Sequence, residues 1–216
     1  ALLSKWHVHA EGYGMEFARI PDVKITVVWD EDPVRGQAWA RDMGCDFEPD
    51  LEKAVNRADV DAVSVGCPTS MHKEVICAAA RAGKAIFTEK VLAITTKDAE
   101  EIADAVEKAG VPFLISFRRR TDASILEAKR LVDSGAIGRV THLRVRDAHA
   151  GISSGWLPDS FFDKSQCGGG AMMDLGAHPM CLCLYFLGEP AAVSSEFTQS
   201  GGKGVDDNCV SLLRYA

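Results

Sequence analysis

Asp174 and His178 stand four residues apart, just behind the run Gly168-Gly169-Gly170. On a helix that spacing puts a carboxylate and an imidazole on one face, one turn from each other. The carboxylate then fixes the tautomer of the imidazole and raises its basicity, which makes a proton-handling pair. The plainer reading of the same stretch is a helix start with a solvated Asp174 and a packed His178. The glycines allow a sharp turn or a close backbone approach. A second candidate lies upstream, where Glu89-Lys90 follows the apolar run Ala85-Ile86-Phe87-Thr88. At a desolvated strand end, beside another positive charge, burial and like charge both favour a neutral lysine. Such a lysine can give or take the proton of a hydroxyl or carbonyl. Arg118-Arg119-Arg120 adds three guanidinium groups. Arg120 is kept as an anion or substrate clamp and Arg118 as structural.

These groups need a frame, and the first half of the chain supplies an alternating one. Strands are expected at 1–3, 24–29, 62–67, 85–88 and 111–117. Helices are expected at 11–19, 35–42, 51–56, 70–82 and 96–109, the last with Thr96 as its cap. Short loops and β-α alternation imply a doubly wound parallel sheet with helices on both faces. Ligands of such sheets bind beyond the carboxyl ends of the strands. Those ends carry Ser4-Lys5-Trp6-His7, Asp30, Cys67-Pro68-Thr69 and Glu89-Lys90. Asp30, ending the second strand, suits ribose hydroxyls, and Glu31 and Asp32 would repel a 2′-phosphate, which favours NAD over NADP. It also reads as an ordinary acidic turn before Pro33. The first loop holds no G-x-G-x-x-G fingerprint. Helix-start N–H groups and Lys5 would have to meet a pyrophosphate there, beside the bulk of Trp6.

The second half changes character. A helix is expected at 123–134, and an alternating strand with one wet face at 139–147. A long irregular loop runs over 151–170, followed by a helix at 172–187 and strands at 192–198 and 209–216. Division into a dinucleotide-binding domain, 1–117, and a substrate or oligomerisation domain, 118–216, follows.

Composition narrows the classes further. The chain has 216 residues, 47% of them hydrophobic and 25% charged, as expected of a soluble globular protein. A formal net charge of -7 speaks against nucleic acid or an anionic membrane surface as partner. No apolar run reaches membrane-span length, and no leader peptide is visible. The cysteines at 45, 67, 77, 167, 181, 183 and 209 are odd in number and form no C-x-x-C pair. Reduced, buried thiols in a cytoplasmic protein are the expectation, with no disulfide frame and no metal site. The chain opens inside an apolar run and closes on a strand, which reads as a fragment.

Together these pieces resemble the Gfo/Idh/MocA family of NAD(P)-dependent oxidoreductases. Thr88-Glu89-Lys90-Val91 is similar to the family's E-K-P, and Gly168-Gly169-Gly170 through Asp174 and His178 to its GGGAL-x-D-x-G-x-H. Cys67-Pro68-Thr69 with His72, Phe117-Arg118-Arg119-Arg120, Ser134-Gly135-Ala136-Ile137-Gly138 and Val205-Asp206-Asp207-Asn208 support the match. The resemblance implies a Rossmann domain and a C-terminal α+β domain with an open mixed sheet, incomplete here. It implies that Lys90 handles the proton of a substrate hydroxyl while Asp174 and His178 bind that hydroxyl and relay the proton. Hydride would then pass between the adjacent carbon of a sugar, polyol or derivative and NAD. Ser4, Lys5, Trp6, His7, Asp30, Cys67, Pro68, Thr69, His72, Glu89 and Lys90 would line the cofactor. Lys90, Arg120, Trp156, Asp174 and His178 would line the substrate. A homodimer or homotetramer, paired through the open sheet face, is implied as well. The sequence departs from the pattern at Val91 (Pro in the family), at Cys181 (an acid in many polyol-oxidising relatives), in its glycine-free loop, and at Pro179, which follows His178. A redox-neutral NAD-dependent glycosidase or lyase, or a non-catalytic ligand-binding regulator, are the alternatives.

Overall fold

Leu2 and Leu3 are neighbours in sequence and both are buried, because strand side chains alternate between the two faces of a sheet. Leu3 packs with Val27, Trp29, Val63, Val65, Ile76 and Ile102. Leu2 packs with Val28, Ala10, Trp39 and Ala40. A sheet with an apolar layer on each face must carry helices on both, and the computed structural model, which describes residues 1–216, has that arrangement.

The chain forms two compact units, Ala1–Ser116 and Phe117–Ala216. In the first, the elements are β1 (Leu2–Leu3), α1 (Ala10–Ala18), β2 (Val27–Trp29), α2 (Pro33–Met43), β3 (Asp46–Phe47), α3 (Leu51–Val55), β4 (Ala62–Val65), α4 (His72–Arg81), β5 (Ala85–Thr88), α5 (Thr96–Ala109) and β6 (Phe113–Ile115). The six strands lie in the order β3-β2-β1-β4-β5-β6, and every pairing is parallel. The order reverses between β1 and β4, so the crevice where such sheets bind ligands opens at the ends of those two strands. The edge strand β3 is only two residues long and carries no periodicity that a sequence reading can detect.

Local chemistry sets the helix ends. Asp32 caps α2 by accepting from the N–H groups of Val34 and Arg35 at 2.9 and 3.2 Å. Pro33 fills the first helical position, and Gly44 closes the helix at φ 66°. Helix α5 is capped by Thr95, not Thr96: the Thr95 hydroxyl accepts from Asp98 N–H at 3.1 Å. Thr96 is the first residue inside the helix.

The second unit contains α6 (Ala123–Asp133), a 3-10 turn at Asp159–Phe162, α7 (Lys164–Cys167), α8 (Ala171–Asp174), α9 (Ala177–Leu187), β7 (Ala192–Thr198) and β8 (Asn208–Arg214). Strands β7 and β8 form an antiparallel ladder with Ser195 opposite Ser211. The stretch 139–147 is not a strand. Its alternating pattern is right for one, but a strand exists only against a hydrogen-bonded neighbour, and β7 and β8 pair only with each other. The helix expected over 172–187 is two helices. At the junction the Gly176 N–H reaches Ala171 O at 2.9 Å and the His178 N–H reaches Leu175 O at 3.1 Å. Pro179 therefore falls in the first turn of α9, where a missing N–H costs no helical bond. No single helix is long and apolar enough to cross a membrane.

Candidate functional site

At the crevice of the first unit the glycine fingerprint is replaced by a bonded loop. Ser4 follows β1 with φ 74°, a left-handed conformation that glycine usually supplies. Its hydroxyl accepts from Trp6 N–H at 3.1 Å, and its own N–H donates to Trp29 O at 2.7 Å. The Lys5 side chain pairs with Glu11 at 3.3 Å. A close approach is also made from the β4 side, where a Cβ on Gly66 would lie 2.8 Å from Ser4 O.

Asp30 is buried at the end of β2, and both of its oxygens already carry donors. Oδ2 accepts from Lys5 N–H at 2.8 Å and Arg35 Nε at 3.0 Å. Oδ1 accepts from Asp32 N–H at 2.8 Å and Arg35 Nη2 at 2.6 Å. A carboxylate has about four acceptor positions, so Asp30 ties loop, strand and α2 together, and a ribose hydroxyl would have to displace one of these bonds. Glu31 also binds Arg35, at 2.6 Å, but its Oε2 is buried with no partner. The Arg35 guanidinium is desolvated by burial, yet the bonds and charges of Asp30 and Glu31 leave its pKa raised.

Cys67 is buried, which pushes its thiol pKa well up. Pro68 leads into a 3-10 turn, Thr69–Met71, so the Cys67-Pro68-Thr69 segment closes the β4 end of the crevice. His72 is almost wholly buried below that turn, and its Nδ1 lies 3.1 Å from Leu92 O. It thus holds the segment that follows Lys90 rather than facing the open edge. Lys90 is itself only 7% exposed at the end of β5, and the Lys90–Val91 peptide is cis. Lys90 N–H donates to Glu89 Oε2 at 3.0 Å. Glu89 Oε1 lies 2.9 Å from His9 Nδ1 and accepts from the Tyr13 hydroxyl. Burial alone would raise the pKa of Glu89, but the His9 bond, the charge of His7 and the Tyr13 bond hold it down at about 2.

In the second unit, Asp206 explains the glycines. Its carboxylate accepts from Gly170 N–H at 3.0 Å and Met172 N–H at 2.7 Å, and its carbonyl accepts from Ala171 N–H at 2.8 Å. A Cβ on Gly170 would lie 2.0 Å from Asp206 O. The triple glycine and the Val205-Asp206-Asp207-Asn208 segment are thus two halves of one helix-start clamp. Asp174, closing α8, borders a cavity of about 600 Å³ with His149, Leu157, Phe161, Asp206 and Asn208 among its walls. His149 Nδ1 accepts from Gly151 N–H at 3.0 Å, which leaves the proton of a neutral ring on Nε2. That Nε2 is 4.0 Å from Asp174 Oδ2. The Trp156 ring stands 4.9 Å from the His149 ring and is half exposed. His178 is buried against Phe117, ring centroids 6.2 Å apart, and is not among the cavity walls.

Residues 6–117 match the family described as an oxidoreductase family with an NAD-binding Rossmann fold, and residues 125–216 match the GFO/IDH/MocA C-terminal domain. The chain belongs to the Gfo/Idh/MocA oxidoreductase family. Among curated relatives, levoglucosan dehydrogenase of Pseudarthrobacter phenanthrenivorans is 30% identical over 196 residues, covering 77% of this chain and 49% of the relative. The scyllo-inositol 2-dehydrogenase (NAD(+)) of Bacillus subtilis is 30% identical over 188 residues, covering 86% of this chain and 51% of the relative. Of solved structures, levoglucosan dehydrogenase in complex with NADH superposes with a TM-score of 0.85 at 26% identity, over 100% of this chain and 63% of that one. The chain spans about half the length of the curated relatives it matches.

Within this family framework the anticipated residues fall into three groups. Ser4, Lys5, Trp6, His7, Asp30, Cys67, Pro68, Thr69, Glu89 and Lys90 gather along one sheet edge. Asp174 and Trp156 share the surroundings of His149. Arg120 lies elsewhere in its unit, with its guanidinium 4.6 Å over the Tyr185 ring, while Arg119 reaches Asp147 at 3.4 Å. Sequence reasoning missed His149, His9, Tyr13 and Arg35. Arg35 was findable as a basic residue one turn past an acidic strand end. His149 lies beyond a stretch wrongly expected to be a strand, and His9 and Tyr13 meet Glu89 only through the fold.

Proposed function

We propose that this chain is the cofactor-binding part, and some of the substrate-binding part, of an NAD-dependent dehydrogenase acting on a CH–OH group of a sugar, polyol or derivative. The observation that carries the reading is Lys90, a lysine only 7% exposed at the carboxyl end of an interior parallel strand. In the proposed reaction NAD, when bound, supplies the hydride acceptor. Lys90 takes the hydroxyl proton as the adjacent C–H leaves as hydride. Asp174 and His178 bind that hydroxyl and relay the proton. His149, whose tautomer is fixed by Gly151, and Trp156, with a ring suited to the apolar face of a sugar, complete the substrate side. Asp30, Glu31 and Asp32 outnumber the one cation bound among them, Arg35, and that net negative charge after β2 supports NAD over NADP.

The test is a screen of sugars, anhydrosugars and inositols with NAD, following NADH absorbance. Lys90→Ala should abolish turnover while NAD binding stays within about tenfold. A fully active Lys90→Ala protein sinks the assignment. A second reading, redox-neutral lyase chemistry, is favoured by one relative. The 2,7-anhydro-N-acetylneuraminate hydratase of Mediterraneibacter gnavus is 34% identical over 134 residues, covering 60% of this chain and 35% of that protein. Product formed without lasting NADH absorbance would select it.

A further inference from the structure

We propose that Glu31, not Asp30, accepts the hydrogen bond of the adenosine ribose 2′-hydroxyl of the dinucleotide. The role rests on the NAD-dependent reading of the chain. Both acids follow β2, and Asp30 is the one that its place in the fold would select. Its side chain, however, is 0% exposed. Donors from Lys5, from Asp32 and twice from Arg35 already fill its oxygens, and a carboxylate has about four acceptor positions. A hydroxyl arriving at Asp30 would break one bond to gain another.

Glu31 differs on both counts. Its side chain is 21% exposed. Oε1 takes a bond from Arg35 Nη2 at 2.6 Å, whereas Oε2 is a buried oxygen with no partner. A buried acceptor without a donor carries its full desolvation cost, and a ligand that brings a donor relieves it. The last torsion of a glutamate is broad, so the carboxylate can turn about its Arg35 bond and offer the free oxygen to the crevice. The position agrees. Strand β1 separates β2 from β4, and the Cys67 thiol at the β4 end feels Glu31 from across it. Burial first, then the charge of Glu31, ahead of that of Asp30, raise the pKa of that thiol. Arg35 supplies the support. Its Nη2 holds Asp30 Oδ1 and Glu31 Oε1, each at 2.6 Å, and lies 3.5 Å from Ser4 Oγ in the glycine-free loop. One guanidinium thus ties the saturated acid to the available one. The partner it leaves room for is a neutral donor. A ribose hydroxyl brings a proton, whereas a 2′-phosphate brings acceptors and negative charge.

Titration calorimetry with two ligands, NAD and its analogue lacking the adenosine 2′-hydroxyl, tests the proposal. The parent chain should bind NAD at least about tenfold more tightly than the analogue. Glu31→Gln should lose that same factor for NAD and almost nothing for the analogue, because hydroxyl and carboxylate make one bond and their losses do not add. Equal weakening of both ligands would show that Glu31 serves the fold or another donor, and would overturn the assignment. So would an unchanged NAD affinity in Glu31→Gln. No binding of NAD to the parent chain at about 1 mM would remove the dinucleotide reading and this role together. The expected pattern of affinities in a protein whose Lys90→Ala variant stays fully active would confirm Glu31 and sink only the catalytic role of Lys90.

Discussion

Asp30 shows how a single carboxylate can be read two ways. In sequence it is an acidic strand end suited to ribose. In the fold its oxygens are already bonded by Lys5, Asp32 and Arg35. Removing one partner of a buried pair leaves the other charge uncompensated, so Asp30→Ala should lower the urea unfolding free energy by about 3 kcal/mol. Glu31 keeps the oxygen without a partner. Calorimetry should therefore show NAD binding weakened by Glu31→Gln, about tenfold if one charge-assisted hydroxyl bond is lost. His72 gives a pH signature. Burial lowers its pKa below 6.5, against the backbone bonds that raise it. The unfolded chain thus takes up a proton that the folded one refuses. The residue's contribution is full above pH 6.5 and is lost as the pH falls through the folded-state value. Denaturation curves across that range should be flatter in His72→Gln. The place of Lys90 at a strand's carboxyl end and the turn made by the glycines were legible because residue type and spacing announce them. His149 and Tyr13 were not, since each acquires meaning only from a partner far away in the chain.

At the scale of elements, the parallel sheet was readable because each strand is a short apolar run punctuated by Gly, Pro or Asp. The two-residue β3 lacked any such signal, and 139–147 had the right signal without a neighbour to pair with. The second unit depends on the clamp between Asp206 and the start of α8. A Cβ on Gly170 would strike backbone, not a flexible side chain, so the segment has to shift to accept it. Gly170→Ala should lower the thermal midpoint, by about 2–4 kcal/mol in stability terms. Asp206→Asn, which keeps the shape and one acceptor, should cost about 1 kcal/mol. Equal effects of the two substitutions in differential scanning calorimetry would show that the contact is not the determinant. In the first unit, Ile102→Ala removes a wholly buried side chain from the layer under β4 and β5. It should destabilise by about 3 kcal/mol.

For the whole molecule, the family resemblance conveyed by motif order was confirmed by matches spanning both units. The second unit's surface was not foreseen in detail. Strands β7 and β8 have no third strand beside them, and Val193, Phe197, Val210 and Leu212 lie more than half exposed on them. Such a ladder has two open edges and apolar side chains in water. We propose that copies of the chain pair there, and Val210→Lys with Leu212→Lys should shift sedimentation toward the monomer. Pairing there would tie heat resistance to mass action. Association that favours the folded form makes the melting temperature a function of concentration. Diluting the chain by about a hundredfold should lower its melting point, while the double-lysine variant should melt at one temperature however dilute it is.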